Sequence, residues 1–191
     1  MRQKIQALIM FVALLTTSVV FAAPGTYTVD PMHTSFGFTV KHMMISNVPG
    51  EFDKFSGQIV YDPTDLAHSS ANVMIDVSSI NTRIDKRDAH LKSPDFFDAA
   101  KFPTITFVST QFTSTSITGH LTMKGVTKEV TIPVTISGPV NEMGHQAIGI
   151  TGSITINRQD YGINYNKVLD QGGLAVSNDV LITISIEADQ K

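Results

Sequence analysis

The chain of 191 residues contains no cysteine, which rules out disulfides, a thiol nucleophile and thiolate metal ligands and leaves stability to packing alone. Basic residues are outnumbered by acidic ones, 14 against 17, so nucleic acid is not expected as a partner. None of the six histidines, His33, His42, His68, His90, His120 and His145, forms an HxH or HExxH pair, and no metal site or resident cofactor is expected. The GxSxG and SxxK signatures of activated serines are missing, and so are the phosphate-loop and dinucleotide patterns.

Long apolar runs are confined to the start. Arg2 and Lys4 precede an apolar stretch from Ala7 to Val20 that Thr16, Thr17 and Ser18 interrupt, too short and too broken for a spanning helix. Residues 1–22 therefore read as a cleavable signal peptide, with Val20 and Ala22 at the small-residue positions, and residues 23–191 as one mature domain. An uncleaved anchor is the competing reading. The expected location is the periplasm of a Gram-negative cell. Loss of Arg2 and Lys4 leaves 12 basic residues against 17 acidic ones, a net charge of −5.

What fills the mature chain is alternation. Runs rich in Thr, Val, Ile and Phe keep a period of two and are separated by Gly, Pro, Asn and Asp, the pattern of strands with one apolar and one wetted face. One phase collects Phe36, Phe38, Ile59, Val73, Ile75, Ile105, Phe107, Leu121, Ile132, Val134, Ile150, Ile154, Ile182 and Ile184. About eight such strands close as an antiparallel up-and-down barrel or stack as a sandwich, and the pattern leaves both open. The same phase serves a filled core or a cavity. Two connections stand out: Tyr161 to Asn178, with Gly162, Gly172 and Gly173, and Lys41 to Phe52, with Met43, Met44, Ile45 and Val48. Long glycine-bearing loops serve as lids or binding loops, and methionines adapt to irregular ligands.

One segment breaks the alternation. From Arg83 to Leu91 the spacing predicts a short helix with Arg83, Arg87 and His90 on one face and Ile84 and Leu91 on another. Thr82 is the expected cap, with Asp85 three residues on, and Pro94 the stop. The three polar residues are candidates either to contact a ligand head group or to tie the helix to the barrel through carboxylates such as Asp30, Asp95 or Asp160.

The run RDAHLKSPDFFDAAKFPTITF resembles the signature of the YceI family, periplasmic polyisoprenoid-binding proteins with a lipocalin-like barrel. YTVDPMHTSFGFTVKH, GHLTMKGVTKEVTI and INRQDYGI agree in order and spacing. The resemblance implies an all-β, eight-stranded, lipocalin-like up-and-down barrel with one short α-helix. It implies a polyisoprenoid, or a similar long lipid such as a quinone, held noncovalently inside. The fourteen inward residues then become ligand contacts, Arg83, Arg87 and His90 head-group contacts, and no residue catalytic. A membrane protein that delivers or accepts the lipid, and a homodimer, are further partners to expect. Two alternatives stand beside this reading: an enzyme acting on an isoprenoid lipid through His90 and a nearby carboxylate, and a ligand-free stress scaffold with a filled barrel.

Overall fold

The structure, a computed structural model, describes residues 24–142, 144–168 and 174–190. Residues 1–22, expected to form a signal peptide, lie outside the described residues. In chain order the elements are β1 (Gly25–Val29), β2 (Ser35–His42), β3 (Ser46–Phe52), β4 (Phe55–Tyr61), β5 (Ser70–Asp76), β6 (Ile80–Asn81), α1 (Asp85–Lys92), β7 (Thr104–Phe112), β8 (Ser116–Met123), β9 (Val126–Glu142), β10 (His145–Asn157) and β11 (Val176–Gln190). The alternation decides which side chain faces where. In β10, Thr151, Ser153 and Thr155 are exposed, while Ile150, Ile154 and Ile156 turn inward.

Eight antiparallel strands form a closed ring in the order β1-β4-β5-β7-β8-β9-β10-β11. The ring is shut by β11 against β1, with Val29 opposite Ala188. The five residues of β1 cannot cover the fifteen of β11, and β2 takes over the remainder, Phe36 opposite Ile184 and Phe38 opposite Ile182. From β2 the sheet continues through β3 to β6, a second tier that raises one wall beyond the ring. Closure leaves the ring itself without an open edge.

The interior is uneven along its length. One end is packed solid, with Tyr27, Ile148 and Ala188 at 0–1% exposure, each large side chain contributing about 1.5–3 kcal/mol by burial. Further along the same strands Phe38, Ile154, Ile182 and Ile184 also turn inward yet keep free surface. They face an internal space.

The segment from Lys41 to Phe52 is not a loop. It is the β2–β3 hairpin, and its tip is confined to Met43, Met44 and Ile45 between the paired His42 and Ser46. Met43 and Met44 take positive φ angles of 50° and 62°, a region that costs non-glycine residues energy. All three are exposed, whereas Val48 turns into the barrel.

The helix also departs from the expected frame. It begins at Asp85, with Ile84 at the capping position and no side-chain cap. Arg83 sits outside it at φ 66°, where its N–H donates to Asn81 Oδ1 at 2.9 Å. That left-handed turn reverses the chain one residue before the helix, so Arg83 does not share a helical face with Arg87 and His90. Thr82 is used differently: its N–H donates to Asp88 Oδ1 at 2.9 Å and its hydroxyl to the same oxygen. Ile84 is 51% exposed, so of the expected apolar face only Leu91 packs inward.

Candidate functional site: an apolar cavity with a polar rim

The internal space is a cavity of about 440 Å³, within the range of sites that hold drug-sized molecules. Phe36, Phe38, Ile59, Val73, Ile75, Ile105, Phe107, Leu121, Ile132, Val134, Ile150, Ile154, Ile182 and Ile184 all line it. Strand pairing explains how residues distant in sequence converge. Ile182 lies opposite both Phe38 and Ile154, Phe107 opposite both Val73 and Leu121, and Ile75 opposite Ile105. Residues directly opposite in register share a face of the sheet.

Val40, Ile117, Met123, Ile156, Val180 and Ile186 line the same space. They continue the same alternation in β2, β8, β10 and β11, and extending the phase along each strand would have found them. Phe52, Phe96 and Phe97 come instead from the second tier and from the turn after α1. Phe97 meets Phe52 edge to face at 6.0 Å between centroids.

The polar lining comes from Thr82 and α1, from the stretch Arg158 to Lys167 and from the end of β2. These pieces are joined into one rim. His90 packs edge-on against Phe96 at 5.0 Å and Tyr165 at 4.8 Å, and its Nε2 meets Asp95 Oδ2 at 2.9 Å. Asn166 bridges to Val176, donating to its carbonyl at 2.7 Å, and Val176 pairs with His42. The sequence DFFDAAKF supplies the turn that carries Phe96. Backbone N–H groups of Phe97 and Ala99 donate back to the carbonyls of Leu91 and Lys92, which closes the helix C-terminus.

Of the three polar candidates, Arg87 and His90 line the cavity and Arg83 does not; it borders a small surface depression with Asn81 and Glu51. Arg87 donates from Nε to Thr82 Oγ1 and from Nη2 to the Thr82 carbonyl, both at 2.7 Å. Thr82 is therefore the hub that fixes α1, through Asp88 on one side and Arg87 on the other. The anticipated Asp95 contact is present at His90. Asp30 instead pairs with His33 at 2.5 Å, and the Met32 N–H first, then the His33 ring, hold its carboxyl below the usual range. Asp30, His33 and Glu187 lie with their ligand atoms within 4.8 Å of one another, a cluster no short motif signals. His33 Nδ1 lies 2.5 Å from Asp30 Oδ2 and 3.6 Å from Glu187 Oε1.

Arg158, Tyr165 and Lys167 are cavity-lining residues that the sequence reading passed over. Arg158 is almost fully buried, and burial pushes its guanidinium pKa below the ordinary value. Its position after β10 carries no periodic signal, because its partners lie on the segment that crosses the rim. Among the described residues that line the cavity, Thr82 and Tyr165 carry the hydroxyls, and the Thr82 hydroxyl is already engaged.

A closed antiparallel barrel with an apolar interior and a polar rim defines a class of proteins that enclose a ligand within the sheet. Residues 27–188 match the YceI-like domain family. The chain belongs to that family. A UPF0312 protein of Staphylococcus aureus (strain bovine RF122 / ET3-1) is 43% identical over 163 residues, covering 84% of this chain and 95% of the relative. Among solved structures, Burkholderia cenocepacia BcnA superposes with a TM-score of 0.73 at 29% identity, covering 83% of this chain and 98% of that one. The Campylobacter jejuni YceI protein gives 0.69 at 28% identity, covering 97% and 99%. A polyisoprenoid binding domain from Saccharophagus degradans, implicated in plant cell wall breakdown, shares the fold with a TM-score of 0.66 at 17% identity, covering 86% and 98%.

Proposed function

We propose that this protein is a periplasmic carrier or reservoir that holds a polyisoprenoid, or a lipid with a comparable tail such as a quinone, noncovalently in its barrel. The observation that carries the reading is the cavity of about 440 Å³, whose lining is aliphatic and aromatic except at the rim. A filled scaffold would leave Phe38, Ile154 and Ile182 no free surface to face. The fold shared with a polyisoprenoid binding domain supports the same ligand class. The apolar stretch and cleavage pattern of residues 1–22 support export.

Burial is the chemistry this cavity offers. Each CH₂ taken from water into an apolar interior gains about 0.8 kcal/mol before ordering costs. His90 Nε2 meets Asp95 Oδ2, yet the rim hydroxyl of Thr82 is held by Asp88 and Arg87, which favours holding a lipid over transforming it. Native mass spectrometry of protein isolated from its own cells by osmotic shock tests the reading. A copurifying apolar lipid, released unchanged on denaturation, is expected. Protein that is consistently empty, or recovered only from detergent-extracted membranes at full precursor mass, would contradict it.

A further inference from the structure

The charge lining the cavity has one sign. Arg87, Arg158 and Lys167 border it, and among the described residues that line it there is no aspartate or glutamate. Arg158 is the most constrained of the three, at 4% exposure. Its Nε donates to the Ser177 carbonyl at 2.9 Å, its Nη1 to the Ile163 carbonyl at 2.6 Å and its Nη2 to Asn178 Oδ1 at 3.4 Å. All three acceptors are neutral. A guanidinium has five N–H donors, so donor capacity remains after these bonds. The ion pairs among the described residues all involve histidine, and Arg158 is in none of them.

A buried cation without a counter-charge is costly, and removing the cost takes an anion. The depressed pKa of Arg158 agrees with that cost. Arg87 differs, being half-buried and sharing the Thr82 hydroxyl with the Asp88 carboxylate, so the unmatched charge is that of Arg158. Resting on the reading that an apolar chain fills the cavity, we infer that the lipid ends in an anionic group, a carboxylate or a phosphate ester, seated against Arg158 in the field of Arg87 and Lys167. The apolar wall takes the tail and the arginine takes the head. A fork of N–H donors in a site shielded from water suits either oxyanion, and a neutral alcohol or quinone would leave the charge unmatched.

Displacement of a neutral fluorescent probe from delipidated protein tests this with farnesol, farnesoic acid and farnesyl phosphate, which share one chain, and with sodium phosphate and acetate alone. The acid and the phosphate ester are expected to bind about tenfold or more tightly than the alcohol. Arg158→Gln should bring them down to the alcohol without weakening the alcohol itself, and Arg158→Lys should keep most of the preference. Inorganic phosphate and acetate should displace nothing. Equal affinities in the wild type, or a preference that survives Arg158→Gln, would overturn the inference. So would displacement by inorganic phosphate alone, which would mark a free-anion site. If Arg158→Gln does not fold, the wild-type comparison and Arg158→Lys decide. Failure of all three chains to bind would refute the lipid-cavity reading as well, whereas three chains binding equally would refute the anionic head alone.

Discussion

A tryptophan in place of Ile182 distinguishes a hollow barrel from a filled one. Ile182 faces the cavity opposite Phe38 and Ile154, so the larger ring has room and should displace ligand rather than protein. Lipid affinity is expected to fall at least about tenfold while the melting temperature moves little. The same change at Ile148, 1% exposed in the packed end, should cost roughly 1–3 kcal/mol by overpacking. Equal destabilisation at both sites would mean that Ile182 is in a filled core. Acid stability belongs to this scale too. Asp62 accepts from the Thr64 hydroxyl at 2.7 Å and from the Thr64 and Asp65 N–H groups at 2.9 and 3.0 Å, and these bonds, the Thr64 hydroxyl first, hold its carboxyl below the usual carboxylate value. Its folded pKa lies under its unfolded one, so the stability it lends is present above about 3.9 and lost as pH falls through the folded value. The gap in melting temperature between wild type and Asp62→Asn should close as the pH is lowered from about 5 to about 2. A gap that is constant with pH would contradict the assignment. Single residues were legible where strand phase governs them. Ile154 and Ile182 point inward because every second residue does, whereas Arg158 owes its place to Ile163, Ser177 and Asn178, contacts that no local spacing announces.

Among the elements, α1 depends most on a single side chain. Its eight residues carry no cap from Ile84, and a helix this short is marginal without tertiary support. Asp88, buried at 8% exposure, supplies that support by accepting from both the backbone and the hydroxyl of Thr82. Asp88→Ala should therefore cost about 1–3 kcal/mol in denaturant unfolding, since it leaves a buried N–H without its acceptor. Amide exchange across residues 82–92 should rise with it; unchanged stability and protection would contradict the role given to Thr82. The expected helix was displaced for a local reason. The spacing of Arg83, Arg87 and His90 fits 3.6 residues per turn, but Asn81 captures the Arg83 N–H in a left-handed turn, and helical geometry starts only afterwards. The β8–β9 hairpin rests on local chemistry: Lys124 and Gly125 both have positive φ, 47° and 77°, as a two-residue turn between twisted strands demands. A Cβ at Gly125 would also meet the Phe102 ring at 2.6 Å, which joins this hairpin to the DFFDAAKF turn.

For the whole molecule, the choice between barrel and sandwich turned on one long-range fact, the pairing of β11 with both β1 and β2. Alternation cannot encode which strands close a ring, and it cannot separate an occupied interior from a vacant one, because both need the same apolar face. The division into a packed end and a hollow end arises from side-chain size and register: Tyr27 and Ile148 fill one end, while Gly152 stands opposite Ile184 further along. The cavity-lining part of β10, Ile150 to Ile156, spans roughly 24 Å at about 3.4 Å per residue, or about 18 Å along the axis after strand tilt, enough for an extended chain of a few isoprene units. At about 0.3 kcal/mol per heavy atom a five-carbon unit contributes on the order of 1.5 kcal/mol, close to tenfold in dissociation constant. An exchange between neutral head groups is worth about one unit or less, at roughly 0.5–1.5 kcal/mol per hydrogen bond. The central claim, a cavity that reads tail length, is tested most directly by measuring the affinity of a series of prenyl alcohols of increasing length. Affinity should climb about tenfold with each isoprene unit and level off when the cavity is full; a series that is flat from the shortest alcohol to the longest would contradict it.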